Sequence, residues 1–266
     1  MSNRRNIYFF HTNSSGMLEK IRPLHDLAER YSFNIVKEAR QANIILSVGG
    51  DGTFLQAVRK TGFREDCLYA GISTGGSLNM YCDFLLDDTS KMIDSMTQEQ
   101  IEVRRYPTIE ITLDDQPSFY ALNELSIRSS VIKTVVMDLF IDDIHFETFR
   151  GDGIVIATPT GSTAYNKSVN GAVVDPSLPC FQVSELASLN NNTYRTLGSS
   201  FILGENRSLT VHVSQNGNEY PTIGMDNEAM SIRHVNQIKV NLSGRKIKTV
   251  KLKDNSFWEK VRRTFL

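Results

Sequence analysis

Positive charge is not in excess in this sequence, because 29 Lys and Arg residues face 30 Asp and Glu residues among 266. Proteins that bind a nucleic-acid backbone or an anionic membrane surface need a surplus of basic residues. We therefore expect neither nucleic acid nor a membrane as a partner. Apolar residues make up 40% of the chain, which suits one large domain or two intimate ones with a genuine core.

Cysteine is also scarce. Cys67, Cys82 and Cys180 are an odd number and form no Cys-x-x-Cys pair, so the sequence indicates neither a disulfide framework nor a zinc knuckle. Long apolar runs are lacking too: the stretch at 7–10 is too short for a signal peptide, and no other run approaches a membrane span. We expect a soluble, cytoplasmic protein.

Motifs of several common enzyme classes are missing. No Gly-x-Gly-x-x-Gly follows an apolar run, and neither the Gly-Lys-[Ser/Thr] of P-loop ATPases nor the His-Glu-x-x-His of zinc proteases occurs. These absences argue against dehydrogenases, P-loop ATPases and zinc proteases. The five histidines are scattered along the chain, and we expect no metal ligand among them.

The first hundred residues alternate predicted strands with predicted helices. Apolar runs predict buried strands at 7–10, 43–48 and 68–72, and helical spacing of apolar residues predicts helices at 17–31 and 53–60. This alternation predicts an α/β domain at 1–100 with a parallel sheet. Ligands of such sheets collect at the carboxyl ends of the strands.

From residue 101 the pattern is mainly β. Short apolar or alternating stretches predict strands at 109–113, 135–141, 153–157 and 209–213, and helical turns are expected only at 167–172 and 183–189. We therefore expect an all-β domain at 101–249, built as a β-sandwich.

The C-terminal segment carries an apolar face. Phe257, Trp258, Val261 and Phe265 fall on one side of a short predicted helix. We expect this face to dock on the α/β domain, so that residues from about 250 to 266 return to it.

A glycine-rich turn, Gly49-Gly50-Asp51-Gly52-Thr53, lies between a predicted strand and a predicted helix. Glycines let backbone N–H groups approach an anion, and a helix N-terminus adds positive partial charge. The turn can therefore cradle a phosphate, although glycine pairs also occur in ordinary turns. The carboxylate of Asp51 is out of place in a pure phosphate cradle. A carboxylate at this position is suited to accepting a proton or to organising a metal ion.

Two further candidates lie in the β-rich half. Asn123 and Glu124 follow an apolar pair, and Asp152 stands between two glycines. Each has an ordinary alternative, as the polar end of a strand or as a turn residue.

The stretch 151–165 is dense in small and hydroxyl-bearing residues, with Thr158, Thr160, Ser162 and Thr163 ahead of Tyr165. Such a loop can wrap a ribose or an amide, or it can be a structural turn.

Taken together and in this order, these stretches resemble the NAD kinase family, over residues 44 to about 250. The Gly-Gly-Asp-Gly-Thr turn alone is shared with diacylglycerol and sphingosine kinases. The pair Asn123-Glu124 and the stretch 151–165 narrow the resemblance to the NAD kinases. It implies an N-terminal α/β domain and a C-terminal β-sandwich, assembled as a homotetramer or homodimer. It also implies transfer of the γ-phosphoryl group of ATP, or of polyphosphate, to the adenosine-ribose 2′-hydroxyl of NAD, with Mg²⁺ or another divalent cation accompanying ATP.

Roles of single residues follow from the same resemblance. Asp51 resembles the family's general base, in the turn formed by Gly50, Gly52 and Thr53 that approaches the phosphates. The other positions resemble residues that bind NAD: Asn123 and Glu124 at the adenosine ribose, Asp152 at the nicotinamide end, Thr163, Ala164 and Tyr165 at the adenosine pocket, Ala187 in the same binding set, and Arg150 and Tyr194 at a subunit interface.

One segment departs from the family pattern. After the third strand, the sequence of relatives is Gly-Val-Asn-Thr-Gly, then any one residue, then Leu-Gly-Phe. The corresponding segment of this chain, residues 71–84, is one residue longer than the family pattern. It has Asn79 where relatives have glycine and Met80 where they have an aromatic residue. We expect Met80 and Tyr81 to lie over the adenine and to make base stacking softer.

Two other functions stay open. A lipid kinase shares the glycine-rich turn but would need a membrane-docking patch, and the sequence has no basic amphipathic helix. A sensor of NAD or NADP without turnover is permitted by the altered 71–84 segment, although the presence of Asp51 argues against it.

Overall fold

The computed structural model describes residues 5–13, 15–114, 116–129, 133–214, 221–230 and 235–266. The chain divides into two compact units: unit 1 comprises residues 1–105 and 246–266, and unit 2 comprises residues 106–245. None of the described helices is long and apolar enough to cross a membrane.

The elements of the first hundred residues are, in chain order, β1 (Asn6–His11), α1 (Met17–Arg30), β2 (Asn34–Ile35), β3 (Ile44–Gly49), α2 (Asp51–Lys60), β4 (Leu68–Ser73), β5 (Cys82–Leu85) and α3 (Thr89–Thr97). Strands β2, β1, β3, β4 and β5 pair in this order and are parallel throughout. The predicted α/β fold with a parallel sheet is therefore confirmed.

Helix α1 packs on this sheet through one side. Its buried residues Met17, Ile21, Leu24 and Ala28 recur every three or four positions and share a core with Phe9 of β1. This spacing places all four on one face of a helix, which is why 17–30 was predictable as a helix.

The remaining elements are β6 (Ile101–Leu113), β7 (Phe119–Ala121), β8 (Glu124–Arg128), β9 (Val135–Ile141), β10 (Ile144–Gly151), β11 (Gly153–Ala157), α4 (Tyr165–Ser168), β12 (Cys180–Leu186), β13 (Phe201–Gly204), β14 (Ser208–Val213), β15 (Thr222–Met225), β16 (Glu228–Met230), β17 (Gln237–Leu252) and α5 (Phe257–Phe265). Short 3₁₀ turns occur at Ala39–Gln41 and Thr160–Thr163.

Unit 2 contains two layers of antiparallel strands. One layer has the order β10-β9-β14-β17, and the other has the order β13-β12-β11-β8-β15-β16. Buried side chains of both layers, such as Leu139 of β9 and Ile156 of β11, belong to one apolar core. Two sheets enclosing a shared core form a sandwich, so the predicted β-sandwich is confirmed.

The helical turns expected at 183–189 were wrong. Residues Cys180–Leu186 form β12, which pairs with β11 on one side and with β13 on the other. The spacing of Val183, Leu186 and Ala187 is typical of a helix. The segment is nevertheless a strand, because two flanking strands supply hydrogen-bond partners that a local sequence pattern does not reveal. The turn expected at 167–172 is also displaced, because α4 covers Tyr165–Ser168.

The expected docking of the C-terminal helix is corrected in one respect. Ser256 and Glu259 form a capping box that starts α5, but the residue that the helix buries fully is Lys260. Trp258 remains 49% exposed and Phe265 36% exposed. Phe257 and Val261 of the predicted face are half-buried, so the helix is held by a polar side chain as well as by part of its apolar face.

Candidate active site

The glycine-rich turn of unit 1 joins the end of β3 to the start of α2. A Cβ atom at Gly49 would lie 2.3 Å from the Thr53 hydroxyl oxygen, so only glycine lets the first turn of α2 sit so close to the strand. Asp51 is the first helical residue. Its carboxylate thus lies at the positive end of the helix dipole, where a negative charge is stabilised.

The Asp51 carboxylate is held by two backbone groups from another part of the chain. The N–H of Tyr81 donates to Oδ1 at 2.8 Å, and the N–H of Met80 donates to Oδ2 at 2.9 Å. A carboxylate offers about four acceptor positions, so both oxygens keep capacity for another donor. The carboxylate is therefore fixed in direction and still able to accept a proton.

The expectation that Tyr81 lies over an adenine is corrected by its burial. Its ring is 4% exposed and stacks on Phe54, with centroids 4.8 Å apart and planes 4° apart. The side chain thus belongs to the core of unit 1, and the backbone N–H is the part that reaches Asp51. Met80 is half-buried, and its expected place at the adenine stays a prediction.

Sequence reasoning overlooked that residues 71–75 match the Gly-x-Ser-x-Gly pattern of α/β-hydrolases. Ser73 is 1% exposed, and its hydroxyl oxygen accepts the Gly75 N–H at 3.2 Å. A nucleophilic serine needs an exposed hydroxyl on a strand-to-helix turn. The structure therefore gives Ser73 a structural role.

In unit 2, Asp226 organises the segment that leads to Glu124. Its carboxylate accepts the N–H of Leu122 at 3.0 Å and that of Asn123 at 2.6 Å, and its own N–H donates to the Glu124 carbonyl at 2.9 Å. Sequence reasoning missed Asp226, because it lies 103 residues after Asn123 and 104 after Leu122, the residues that it holds. Its position before Asn227, between two short strands, is an ordinary turn pattern.

The hydroxyl-rich stretch supports the same segment from the other side. The hydroxyls of Thr158 and Thr160 donate to the Leu122 carbonyl at 2.6 and 3.1 Å, while Ser162 and Thr163 donate to the carbonyls of Pro159 and Thr160 within their own turn. These donors hold the loop itself, while the hydroxyl oxygens can also accept hydrogen bonds. The expected role of this loop at a ribose stays a prediction.

Gly161 lies against the backbone of Asn123, where an added Cβ would be 2.0 Å from the carbonyl oxygen. We expect Gly161→Ala to destabilise the protein by about 1 to 3 kcal/mol, because overpacking forces the backbone apart. Chemical unfolding measures this change. Gly204→Ala is the matched control, since a Cβ at Gly204 meets nothing within 4 Å. Equal stability of the two variants would contradict the prediction.

Glu124 is a buried carboxyl group with unused acceptor capacity. The Tyr165 backbone N–H is its hydrogen-bond donor, whereas its Oε2 has no partner among the described residues. Burial, and secondarily the charge of Asp226, raise the pKa of Glu124 to about 8. A buried acceptor of this kind is suited to the hydroxyl donors of a ligand.

The other predicted residues of unit 2 gather around the start of β11. Asp152 is exposed and donates its N–H to the Leu186 carbonyl at 2.9 Å. Ala187 follows with a left-handed φ of 45°. The Arg150 guanidinium lies 4.3 Å from the centre of the Tyr194 ring, a cation–π contact.

The structure therefore separates the predicted residues of unit 2 into two groups. Glu124 pairs with Ala157, the last residue of β11, whereas Asp152 comes directly before Gly153, the first residue of that strand. Five extended residues span about 17 Å. Thr163 ends the 3₁₀ turn that follows β11, and Ala164 caps it ahead of Tyr165. Both residues therefore lie at the same end of β11 as Glu124.

Comparisons with known proteins decide the family. The chain is 66% identical to the protein named NAD kinase 2 of Bacillus subtilis (strain 168), over 99% of this chain and 98% of that one. The chain belongs to the NAD kinase family. A second NAD kinase 2, from Geobacillus kaustophilus (strain HTA426), is 58% identical over 99% of this chain and 98% of its own. The family profile of the ATP-NAD kinase C-terminal domain matches residues 122–252.

Solved structures of the NAD kinase family share the fold. A yeast NADH kinase complexed with NADH has a TM-score of 0.79 at 19% identity, covering 98% of this chain and 87% of that one. An NAD kinase from Archaeoglobus fulgidus in complex with ATP has a TM-score of 0.75 at 21% identity, covering 98% and 97%. At such identities the likeness concerns the fold.

Proposed function

We propose that this chain is an NAD kinase that transfers the γ-phosphoryl group of ATP to the adenosine-ribose 2′-hydroxyl of NAD and so makes NADP. The observation that carries the proposal is the Asp51 carboxylate, placed at the N-terminus of α2 in a glycine-rich turn and oriented by two backbone N–H groups. Close relatives over the full chain carry the name NAD kinase 2. Polyphosphate stays a proposed alternative donor.

In the proposed mechanism Asp51 accepts the proton of the 2′-hydroxyl as the oxygen attacks the γ-phosphorus. A ribose hydroxyl is a much weaker acid than a carboxylic acid, so the proton moves late and most of the rate comes from positioning and electrostatics. Asn123 and Glu124 are proposed to bind the adenosine ribose. Glu124 supports this role through a buried oxygen that has no partner among the described residues.

Mg²⁺ or another divalent cation is proposed to enter with ATP as part of the substrate. No group of three or more His, Cys, Asp or Glu side chains in the described ranges is arranged to hold a metal ion. Mg²⁺ in such enzymes is commonly bound by one or two carboxylates together with substrate phosphates. The cation neutralises charge on the phosphates.

We also propose a cytoplasmic homo-oligomer, a tetramer or a dimer. Unit 2 exposes several large apolar side chains, among them Ile144 at 73% and Ile202 at 52%. The Phe146 ring is 41% exposed, and its centroid lies 5.1 Å from that of the Phe201 ring. Exposed apolar side chains that form one contiguous patch mark a protein interface. Light scattering of the purified protein measures the subunit count.

We expect NAD to raise the melting temperature, because a ligand that binds only the folded state stabilises it by mass action. Each kcal/mol gained corresponds to about 2 to 4 °C for a protein of this size. A thermal scan at millimolar NAD, run beside an assay for NADP with NAD, ATP and Mg²⁺, tests binding and turnover together. A shift without NADP would indicate a sensor, and neither a shift nor NADP would contradict the proposed function.

A further inference from the structure

Two lysines in unit 1 are buried around one carboxylate. Lys251 on β17 is 0% exposed, Lys260 on α5 is 1% exposed, and Asp83 on β5 is 2% exposed. Lys251 Nζ lies 3.3 Å from Asp83 Oδ1, and Lys260 Nζ forms an ion pair with the same oxygen. The other oxygen, Oδ2, accepts the backbone N–H of Leu252 at 2.8 Å. We call Asp83, Lys251 and Lys260 the lysine cluster.

The lysine cluster has more positive charge than it needs for an ion pair. One lysine balances Asp83, and a second buried ammonium group is unfavourable because burial removes its hydration. Accordingly, burial and the nearby Lys251 lower the pKa of Lys260 to about 7, although Asp83 acts in the opposite direction. Lysine is almost never fully buried unless it is paired, and here two buried lysines share one carboxylate. The second lysine therefore calls for a role beyond packing.

The remaining donors of the cluster reach the segment that holds Asp51. Lys260 Nζ donates to the Met80 carbonyl at 2.9 Å, and Lys251 Nζ donates to the Tyr81 carbonyl at 2.5 Å. The Met80 carbonyl and the Tyr81 N–H belong to one peptide group. That N–H donates to Asp51 Oδ1 at 2.8 Å. A continuous hydrogen-bonded path thus runs from the Lys260 ammonium group through one peptide to the Asp51 carboxylate.

This path has two physical effects on Asp51. A cation at the carbonyl end polarises the peptide, which makes its N–H a stronger donor in a water-poor environment. The lysines also fix the position of the Met80–Tyr81 peptide, and with it the direction in which the Asp51 carboxylate points. A correctly directed carboxylate is what a proton acceptor requires.

We propose that Lys260, together with Lys251, is a positioning residue for the phosphoryl transfer proposed above: it holds the Met80–Tyr81 peptide so that its N–H directs the Asp51 carboxylate as a proton acceptor. This inference rests on the proposed function. Lys260 touches no reacting atom and acts through the peptide and Asp51. A structural ion pair alone would leave turnover unchanged when stability is preserved, and this difference can be measured.

The test is Lys260→Met, which removes the second ammonium group and leaves Lys251 and Asp83 as a balanced pair. We expect kcat for NADP formation to fall by about 10- to 100-fold, the scale of a misplaced catalytic group. KM for NAD should stay within about threefold, because ground-state binding is retained. The variant also loses the Lys260 hydrogen bonds to Asp83 and to the Met80 carbonyl, so kcat is expressed per folded molecule, with the folded fraction taken from the melting curve. The control is Arg262→Met, which removes an exposed charge from the same helix.

The split between kcat and KM separates positioning from packing. A packing role would lower activity only in proportion to the loss of folded protein. A positioning role lowers kcat per folded molecule and leaves KM for NAD nearly unchanged, because substrate binding does not depend on the direction of the Asp51 carboxylate.

Each outcome decides the inference. An active wild-type protein whose Lys260→Met variant keeps kcat within about twofold overturns it, as does a loss of kcat that only follows a loss of folded protein. A wild-type protein that makes no NADP from NAD, ATP and Mg²⁺ overturns the proposed function and this inference with it. A lower kcat per folded molecule, with KM for NAD within about threefold and an unaffected Arg262→Met control, supports it.

Discussion

Asp51→Asn is expected to lower NADP formation by about 10²- to 10⁴-fold, the usual effect of removing a general base. The asparagine side chain has nearly the same shape but does not accept the hydroxyl proton. NAD binding should survive, because the charge removed lies in a turn suited to anions. The NAD-induced rise in melting temperature, measured beside turnover, shows whether binding and catalysis separate.

The structure adds a change in stability to this prediction. Both Asp51 oxygens accept backbone N–H groups, and the asparagine NH₂ would face one of these donors. One N–H then loses its partner, at a cost of about 1 to 3 kcal/mol. Turnover must therefore be expressed per folded molecule.

Asp88→Asn is the matched control for Asp51→Asn. Asp88 is also an aspartate at a helix N-terminus in unit 1, where its side chain accepts the Lys91 N–H at 3.1 Å. Asparagine is an equally good N-cap, so we expect neither stability nor turnover to change. If Asp51→Asn keeps more than about a tenth of wild-type turnover, Asp51 is not the base.

Glu124→Gln is expected to make the protein more stable than wild type at pH 9 and to leave it similar at pH 5. The pKa of Glu124 in the folded chain is about 8, above the value of about 4.3 for an exposed glutamate. The folded state therefore holds the proton more tightly between these values. The stability that this proton contributes is present below about pH 4 and is lost as the pH rises through about 8.

The neutral glutamine does not lose a proton, and its amide oxygen can accept the Tyr165 N–H that the carboxyl group accepts. The stability difference between variant and wild type should therefore grow with pH and approach roughly 3 to 5 kcal/mol at pH 9. Urea unfolding at several pH values measures it. Glu205→Gln, at an exposed position of unit 2, is the control and should show no such trend. A difference that stays constant with pH would contradict the burial of an ionisable group.

NAD binding should depend on pH in the opposite sense. The ionised carboxylate accepts hydroxyl donors more strongly than the acid does, so the wild-type protein should bind NAD more tightly as the pH passes 8. Glu124→Gln should lose this dependence and bind NAD more weakly at pH 9, by about 1 to 3 kcal/mol. Calorimetry at pH 6 and pH 9 distinguishes this result from a purely structural role, in which both proteins would bind alike at each pH.

Local patterns in the sequence were enough for much of the fold. The apolar runs at 43–48 and 68–72 correspond to β3 and β4, and the helical spacing at 17–31 corresponds to α1. These elements were predictable because a buried strand requires a run of apolar residues and an amphipathic helix requires apolar residues every three or four positions. The pattern failed at 183–189, where helical spacing coincides with β12. There the partners β11 and β13 decide the structure, and they lie elsewhere in the chain.

The sequence by itself determined the glycine-rich turn around Asp51, the pair Asn123-Glu124 and the family to which they point, because these residues lie next to one another and their chemistry is local. Only the tertiary structure decided what directs them. Asp226 reaches back about a hundred residues to Asn123, and Lys260 reaches Met80 across 180 residues. Hydrogen bonds between distant segments leave no periodic trace in a sequence, since their partners meet only after the chain has folded.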